Sequence, residues 1–285
     1  MKQSTFALQT IDRLTLFGRV WEPENAAKGV LCLVHGLGEH SGRYTHAADF
    51  LTQAGYVLLA VDLRGHGNSP GKRGHASSYR ALLDDVRRLL SMAEQRYPHL
   101  PLFLFGYSMG GNLVLNCALR FKPAVRGLVV ISPWLELAFQ PPRWKVQFAR
   151  VVRPFWGSFS QKTGLSSGES TKEEANKADP LVHDRISANL FLSMAESGEW
   201  ALKHAGSLSV PVLLMHGSGD QVTSIKASER FAARCPDKLC TFKPWEGYTH
   251  EMHHGAANGP ILQCVSDWLD QQAQSSVTAI ADNPS

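Results

Sequence analysis

The sequence predicts an α/β fold, a mostly parallel sheet covered by helices on both faces, and three observations predict it. Short apolar runs of strand length recur along the chain, and amphipathic stretches of helical length separate them. The runs lack polar alternation, so both of their faces are buried, as in the strands of a parallel sheet. The 285 residues, 44% hydrophobic and 19% charged, are enough for one large core and exclude disordered or fibrous classes.

The strands are expected at 30–34 (VLCLV), 56–61 (YVLLAV), 102–105 (LFLF), 128–131 (LVVI) and 212–215 (VLLM), with a shorter run at 239–242 (LCTF). Helices are expected near 43–54, 79–96, 109–121, 224–234 and 260–273. The alternation breaks once. From 134 to 204 no strand is legible, and this stretch is read as a helical lid inserted over the strand ends. The domain organisation is therefore a core of 1–133 and 205–273, a lid of 134–204, and a frayed polar tail of 274–285.

Charge and cysteine content narrow the function classes. A net charge of +4 over this length is no nucleic-acid footprint. Five cysteines without a C-x-x-C pair suggest neither a disulfide framework nor a zinc site, and Cys32 and Cys117 sit inside apolar runs as small buried hydrophobes. The opening Met1–Phe6 lacks the apolar stretch of a signal peptide, and no run reaches about 18 apolar residues. A soluble, cytoplasmic protein is expected.

In a sheet of this kind chemistry collects at the carboxyl ends of the strands. The pattern Gly-x-Ser-x-Gly occurs three times. In Gly67-Asn68-Ser69-Pro70-Gly71 the residue after the serine has no N–H to give an oxyanion. Gly164-Leu165-Ser166-Ser167-Gly168 follows no buried strand. Gly106-Tyr107-Ser108-Met109-Gly110 lies between the 102–105 strand and a helical run, so Ser108 is the expected nucleophile, with a helix cap as its bland alternative. Acid and base should follow in the order Asp, then His. Asp220 comes just after the 212–215 strand, and His250 after the 239–242 run. Asp220 could instead cap the helix near Thr223, and His253 or His254 could be the base. The oxyanion would be held by the N–H groups of Leu37, in His35-Gly36-Leu37-Gly38, and Met109, with His35 structural.

With these residues the sequence resembles the α/β-hydrolase superfamily, and within it the monoglyceride lipase and lysophospholipase-like branch. The resemblance rests on His35-Gly36-Leu37-Gly38-Glu39-His40-Ser41-Gly42-Arg43-Tyr44, on Asp62-Leu63-Arg64-Gly65-His66-Gly67-Asn68-Ser69, on the Ser108 elbow, and on Asp179-Pro180-Leu181-Val182 and Asp220-Gln221-Val222-Thr223. It implies that Glu39, Arg43 and His253 hold a glycerol head group; the alternative is that Glu39 and Arg43 simply make a local ion pair that shapes the loop. It implies loop architecture for Asp62, Arg64 and His66. The position before the nucleophile, often His in that family, is Tyr107.

Inside the lid, residues 137–168 carry no acid, while Arg143, Lys145, Arg150, Arg153 and Lys162 are basic. Trp144, Phe148, Val151, Val152 and Phe155 recur at offsets 0, 4, 7, 8 and 11, one helix face. Most of that face is expected to pack onto the core as the roof of an acyl pocket, with Trp144 and Phe148 touching the chain and the rim making transient membrane contact. The expected activity is hydrolysis of a monoacylglycerol through an acyl-enzyme, with no cofactor and no metal. A lysophospholipase or broad carboxylesterase shares this chemistry, with Arg43 and the basic lid serving a phosphate, and a non-hydrolytic binding protein is the rival of another class.

Overall fold

The computed structural model describes residues 1–163, 178–253 and 258–281. Its main sheet has eight strands: β1 (Lys2–Gln9), β2 (Thr15–Glu22), β3 (Gly29–Val34), β4 (Tyr56–Val61), β5 (Leu102–Tyr107), β6 (Gly127–Ile131), β9 (Val212–Gly217) and β10 (Cys240–Trp245). Their spatial order is β1-β2-β4-β3-β5-β6-β9-β10. From β4 to β10 every neighbouring pair is parallel, while β1–β2 and β2–β4 are antiparallel.

The period of two along each strand assigns the two faces of the core. Val30, Cys32, Leu104, Val130 and Leu214 point to the side covered by α2 (Tyr79–Arg96), α3 (Met109–Phe121) and α6 (Ile225–Arg234). Leu31, Leu33, Phe105, Ile131 and Met215 point to the side covered by α1 (Thr45–Gln53) and α7 (Gly259–Ala281). Serine caps fix two of the helix starts: Ser78 Oγ accepts the Ala81 N–H, and Ser224 Oγ the Ala227 N–H. Cys32 and Cys117 are fully buried.

The structure departs from the sequence reading at four places. β1 and β2 were not expected; β1 is an exposed edge strand whose pattern buries only Leu8, so it carries almost no apolar signal. Inside the 134–204 stretch two three-residue strands, β7 (Ser160–Lys162) and β8 (Arg185–Ser187), form a small antiparallel ribbon. They are too short and too polar to show a period. The same stretch holds α4 (Arg143–Trp156) and α5 (Ala188–His204), but α5 belongs to the core. Its Leu190, Met194, Ala201 and Leu202 are buried, and Gly198 sits where any side chain would meet the Leu135 backbone. Lastly, α7 runs to Ala281 instead of fraying at 274, since no Gly or Pro stops it earlier in this segment.

Candidate active site

The turn from β5 to α3 places Ser108 at φ 52°, ψ −114°, a strained conformation for a residue with a Cβ. Two glycines allow it. A Cβ on Gly106 would lie 2.5 Å from the Gly110 carbonyl oxygen, and one on Gly110 would strike the Val34 carbonyl. Backbone bonds hold the elbow from both sides: Ser108 N–H donates to the Ile131 carbonyl at 3.0 Å, and Trp134 N–H to the Ser108 carbonyl at 2.9 Å. Of the other two Gly-x-Ser-x-Gly serines, Ser69 donates to the Asp62 carbonyl at 2.5 Å and accepts the Phe17 N–H at 2.9 Å, so it ties β2 to the loop after β4. Ser166 lies outside the described residues.

Ser108, Asp220 and His250 come together at the carboxyl ends of β5, β9 and β10. Ser108 Oγ is 3.0 Å from His250 Nε2, and His250 Nδ1 donates to Asp220 Oδ2 at 2.8 Å. His253 is elsewhere, its ring stacked on Tyr44 (5.1 Å) and against Tyr107 (4.2 Å). His254 lies outside the described residues. Asp220 does not cap the helix that follows, since Ser224 does; it holds the loop before that helix and faces the histidine. Its Oδ1 accepts the N–H groups of Val222 and Thr223 at 2.8 and 3.0 Å, while Oδ2 faces His250. Burial alone would raise its pKa. The hydrogen bonds from His216 and His250 more than offset that and hold the carboxyl well below the usual carboxylate range.

His216 is a residue the sequence reading did not single out. It is wholly buried, and its Nε2 lies 3.0 Å from Asp220 Oδ2 while Nδ1 accepts from Ser228 Oγ at 2.8 Å. The available signal was its place as the penultimate residue of β9, at i, i+4 to Asp220.

Met109 begins α3, so its N–H has no acceptor within the helix and is aimed, like the helix dipole, at the space beside Ser108. Leu37 sits on the loop after β3. Two buried side chains brace that loop. Glu39 Oε1 accepts the Gly36 N–H at 2.6 Å and the Tyr44 hydroxyl at 2.7 Å. His35 Nδ1 donates to the Gly36 carbonyl at 2.7 Å, and its Nε2 accepts the Leu63 N–H at 2.9 Å. Burial lowers the His35 pKa and keeps it neutral, the form this pair of bonds requires. Gly38, at φ +80°, is pressed against the His183 backbone.

Asp62, Arg64 and His66 shape loops. Asp62 accepts from the Ser41 and Asn68 backbone N–H groups at 2.8 Å each, and Arg64 bridges Asp12 and Asp85.

Of Glu39, Arg43 and His253, the first two pair and the third stacks on Tyr44, whose hydroxyl bonds Glu39, in a largely buried setting. Glu39 and His253 are 3% and 1% exposed. Arg43 Nη1 lies 3.7 Å from Glu39 Oε2, and its Nη2 lies 3.1 Å from Glu251 Oε2. Glu251, immediately after His250, was not anticipated. Burial lowers the Arg43 pKa, but the two carboxylates raise it by more.

The apolar face of α4 does not lie as the sequence reading expected. α4 is tied to α5 by Arg153, which bonds Glu196 at 2.7 Å and Asn189 at 3.1 Å, and Val146 and Ala149 are half-buried. The stripe expected to pack inward is turned outward: Trp144 is 68% exposed and Phe155 81%. One edge of it, Trp144 and Phe148, joins Trp134, Leu137, Ile186 and Phe191 around a cavity of about 360 Å³.

Fold and elbow define an α/β-hydrolase. The family model described as serine aminopeptidase, S33, matches residues 25–256, and the chain belongs to that family. Its relatives place it in the monoglyceride lipase branch. The monoacylglycerol lipase of Mycolicibacterium smegmatis is 29% identical over 88% of this chain and 91% of its own. The crystal structure of a Paleococcus ferrophilus monoacylglycerol lipase superposes with a TM-score of 0.81 at 32% identity, over 90% of this chain and 99% of the other. An uncharacterized abhydrolase domain-containing protein of Dictyostelium discoideum is 34% identical over 96% of this chain, which spans only 30% of that protein's length. Among the described residues no helix is long and apolar enough to cross a membrane.

Proposed function

We propose that this hydrolase is a serine carboxylic-ester hydrolase cleaving monoacylglycerol to fatty acid and glycerol. The observation that carries the chemistry is Ser108 Oγ on a strained elbow, 3.0 Å from a His250 that is itself tied to Asp220. Ser108 attacks the ester carbonyl as His250 Nε2 takes its proton. The N–H groups of Leu37 and Met109 stabilise the oxyanion, and Asp220 holds the imidazole tautomer and the imidazolium. His250 then gives the proton to the leaving glycerol oxygen. Water, deprotonated by the same histidine, hydrolyses the acyl-enzyme and frees Ser108.

The monoacylglycerol assignment is supported by relatives named for that activity and by the apolar cavity lined by Trp134, whose N–H bonds the Ser108 carbonyl, and by Trp144 and Phe148, which would meet the acyl chain. Arg43 is proposed at the head-group end, with Glu39 and His253 acting from beneath it. The exposed apolar stripe of α4, flanked by Arg143 and Arg150, is proposed to touch a lipid surface transiently. The test is a panel of monoacylglycerols, lysophospholipids and short p-nitrophenyl esters, with serine-directed phosphonate labelling. The wild type should prefer monoacylglycerol and take the label, and Ser108→Ala should lose both while staying folded. Labelling that survives the substitution would sink the nucleophile; a preference for lysophospholipid would sink the substrate.

A further inference from the structure

The Asp220 carboxylate is anchored at one oxygen and serves the reaction with the other. The Val222 and Thr223 N–H groups hold Oδ1, so Oδ2 keeps its place only if it has donors of its own. Three groups surround it: His250 Nδ1 at 2.8 Å, Thr223 Oγ1 at 2.8 Å and His216 Nε2 at 3.0 Å. His250 is the base whose ring has to be oriented, so it is not the fixed point. Thr223 has one hydroxyl proton and a second acceptor for it, the Ser132 carbonyl at 3.2 Å. His216 differs from both. It is wholly buried on β9, inside the sheet between β6 and β10. The groups beside its Nε2, Asp220 Oδ2 and the Thr223 carbonyl at 3.2 Å, are both acceptors, so Nε2 carries a proton. Ser228 Oγ, equally buried on α6 and 2.8 Å from Nδ1, donates to the other nitrogen and fixes that tautomer. The strand end is also close-packed against the loop that delivers His250, since any side chain at Gly217 would strike the Tyr248 carbonyl.

We infer that His216 is a positioning residue for the hydrolysis: its Nε2–H pins Asp220 Oδ2 where the His250 Nδ1–H meets it, and Ser228 holds the His216 tautomer. The inference rests on the ester-hydrolase reading and adds a residue pair to that site. His216 acts through Asp220 and His250, not on the ester itself. As His250 becomes imidazolium in the transition state, an acceptor already fixed need not reorganise. An oxygen free to swing about the Oδ1 anchor would slow every turnover.

The experiment compares wild type, His216→Gln, His216→Asn and Ser228→Ala. It reads kcat/KM on 4-nitrophenyl butyrate and the rate of phosphonate labelling at Ser108, with melting temperature to confirm folding. The Gln amide nitrogen stands as many bonds from the backbone as Nε2 and reaches Asp220, whereas the Asn amide ends at the position of Nδ1 and does not. His216→Gln should stay within about threefold of wild type. His216→Asn should lose about tenfold to a hundredfold in both readouts, the size of one hydrogen bond to a charged group. Ser228→Ala, which keeps the ring but frees its tautomer, should lose about threefold to tenfold. The double variant His216→Asn/Asp220→Asn should lose no more than Asp220→Asn alone, because a residue acting through that carboxylate has nothing left to act on. Equal rates in the Gln and Asn variants, or a double-variant loss equal to the product of the single losses, overturn the inference and leave His216 a packing residue. If His216→Asn does not fold, an unchanged labelling rate in Ser228→Ala overturns it instead. If the wild type is labelled but cleaves no ester, the ester reading falls, and the labelling rates still decide the role of His216.

Discussion

The elbow at Ser108 and the helix α4 are both short segments at the carboxyl edge of one sheet, and they are built in opposite ways. Around Ser108 almost every group is spoken for. Two glycines admit the strained turn, backbone bonds clamp it from β6 and from Trp134, and Asp220 alone accepts from Val222, Thr223, His216 and His250. Along α4 the largest apolar side chains face outward, and Arg153 supplies side-chain bonds from it to α5. The difference teaches where precision is required. Positions that must hold reacting atoms within a few tenths of an ångström are over-determined, whereas a surface that meets flexible acyl chains needs area more than geometry.

If that contrast is real, substitutions in the two regions should fail differently. The largest effect is expected at Asp220. Asp220→Asn should stay folded and lose kcat by roughly 10⁴-fold, because the imidazole tautomer is no longer held. A loss below about tenfold would show that His250 is positioned by something else.

A smaller, graded effect belongs to α4. Trp144→Ala and Phe148→Ala remove cavity lining and should lower kcat/KM progressively with acyl length, sparing acetate and butyrate esters, since each buried CH₂ is worth ~0.8 kcal/mol. Phe155→Ala, 81% exposed on the same helix, should change thermal stability by less than about 0.5 kcal/mol. A flat chain-length profile for the first two would place the acyl chain elsewhere.

The smallest effect concerns the seam between the two regions. His183 donates its N–H to the Gly38 carbonyl at 2.8 Å and its Nε2 lies 3.2 Å from the Gly65 carbonyl, fastening the segment before β8 to the loop that carries Leu37. Burial lowers its pKa from 6.5 to about 4. The folded state thus prefers neutral His183. The stability this contributes is complete above pH 6.5 and is lost as pH falls through about 4. Melting temperature should therefore drop more steeply between pH 6.5 and 4 in the wild type than in His183→Asn. Parallel curves would mean that the seam does not depend on this proton.

Much of the fold was legible because its signals are local. The buried strands read as uninterrupted apolar runs, and the helices α2, α3 and α6 as amphipathic stretches between them. β1, β7 and β8 were not legible, since an exposed edge strand and two three-residue strands have no period to read. The site divides in the same way. Ser108 was chosen from three similar motifs by the strand before it and the residue after it. Glu251 was invisible because its partner Arg43 is 208 residues away, whereas His216 left only the weak signal of its place near the end of β9, four residues before Asp220.

By itself the sequence determined whatever depends on neighbours along the chain. That includes the parallel sheet, the turn that only Gly106 and Gly110 permit, and the order in which Ser108, Asp220 and His250 arrive at strand ends. The tertiary structure decided the rest. It selected His250 over His253 across a separation of 142 residues from Ser108, because the first ring points at the elbow and the second is buried on Tyr44 and Tyr107. It also turned the apolar stripe of α4 outward. A hydrophobic period says that one face is apolar; which face is buried depends on the partner the helix meets, and here Arg153 found its partners on α5.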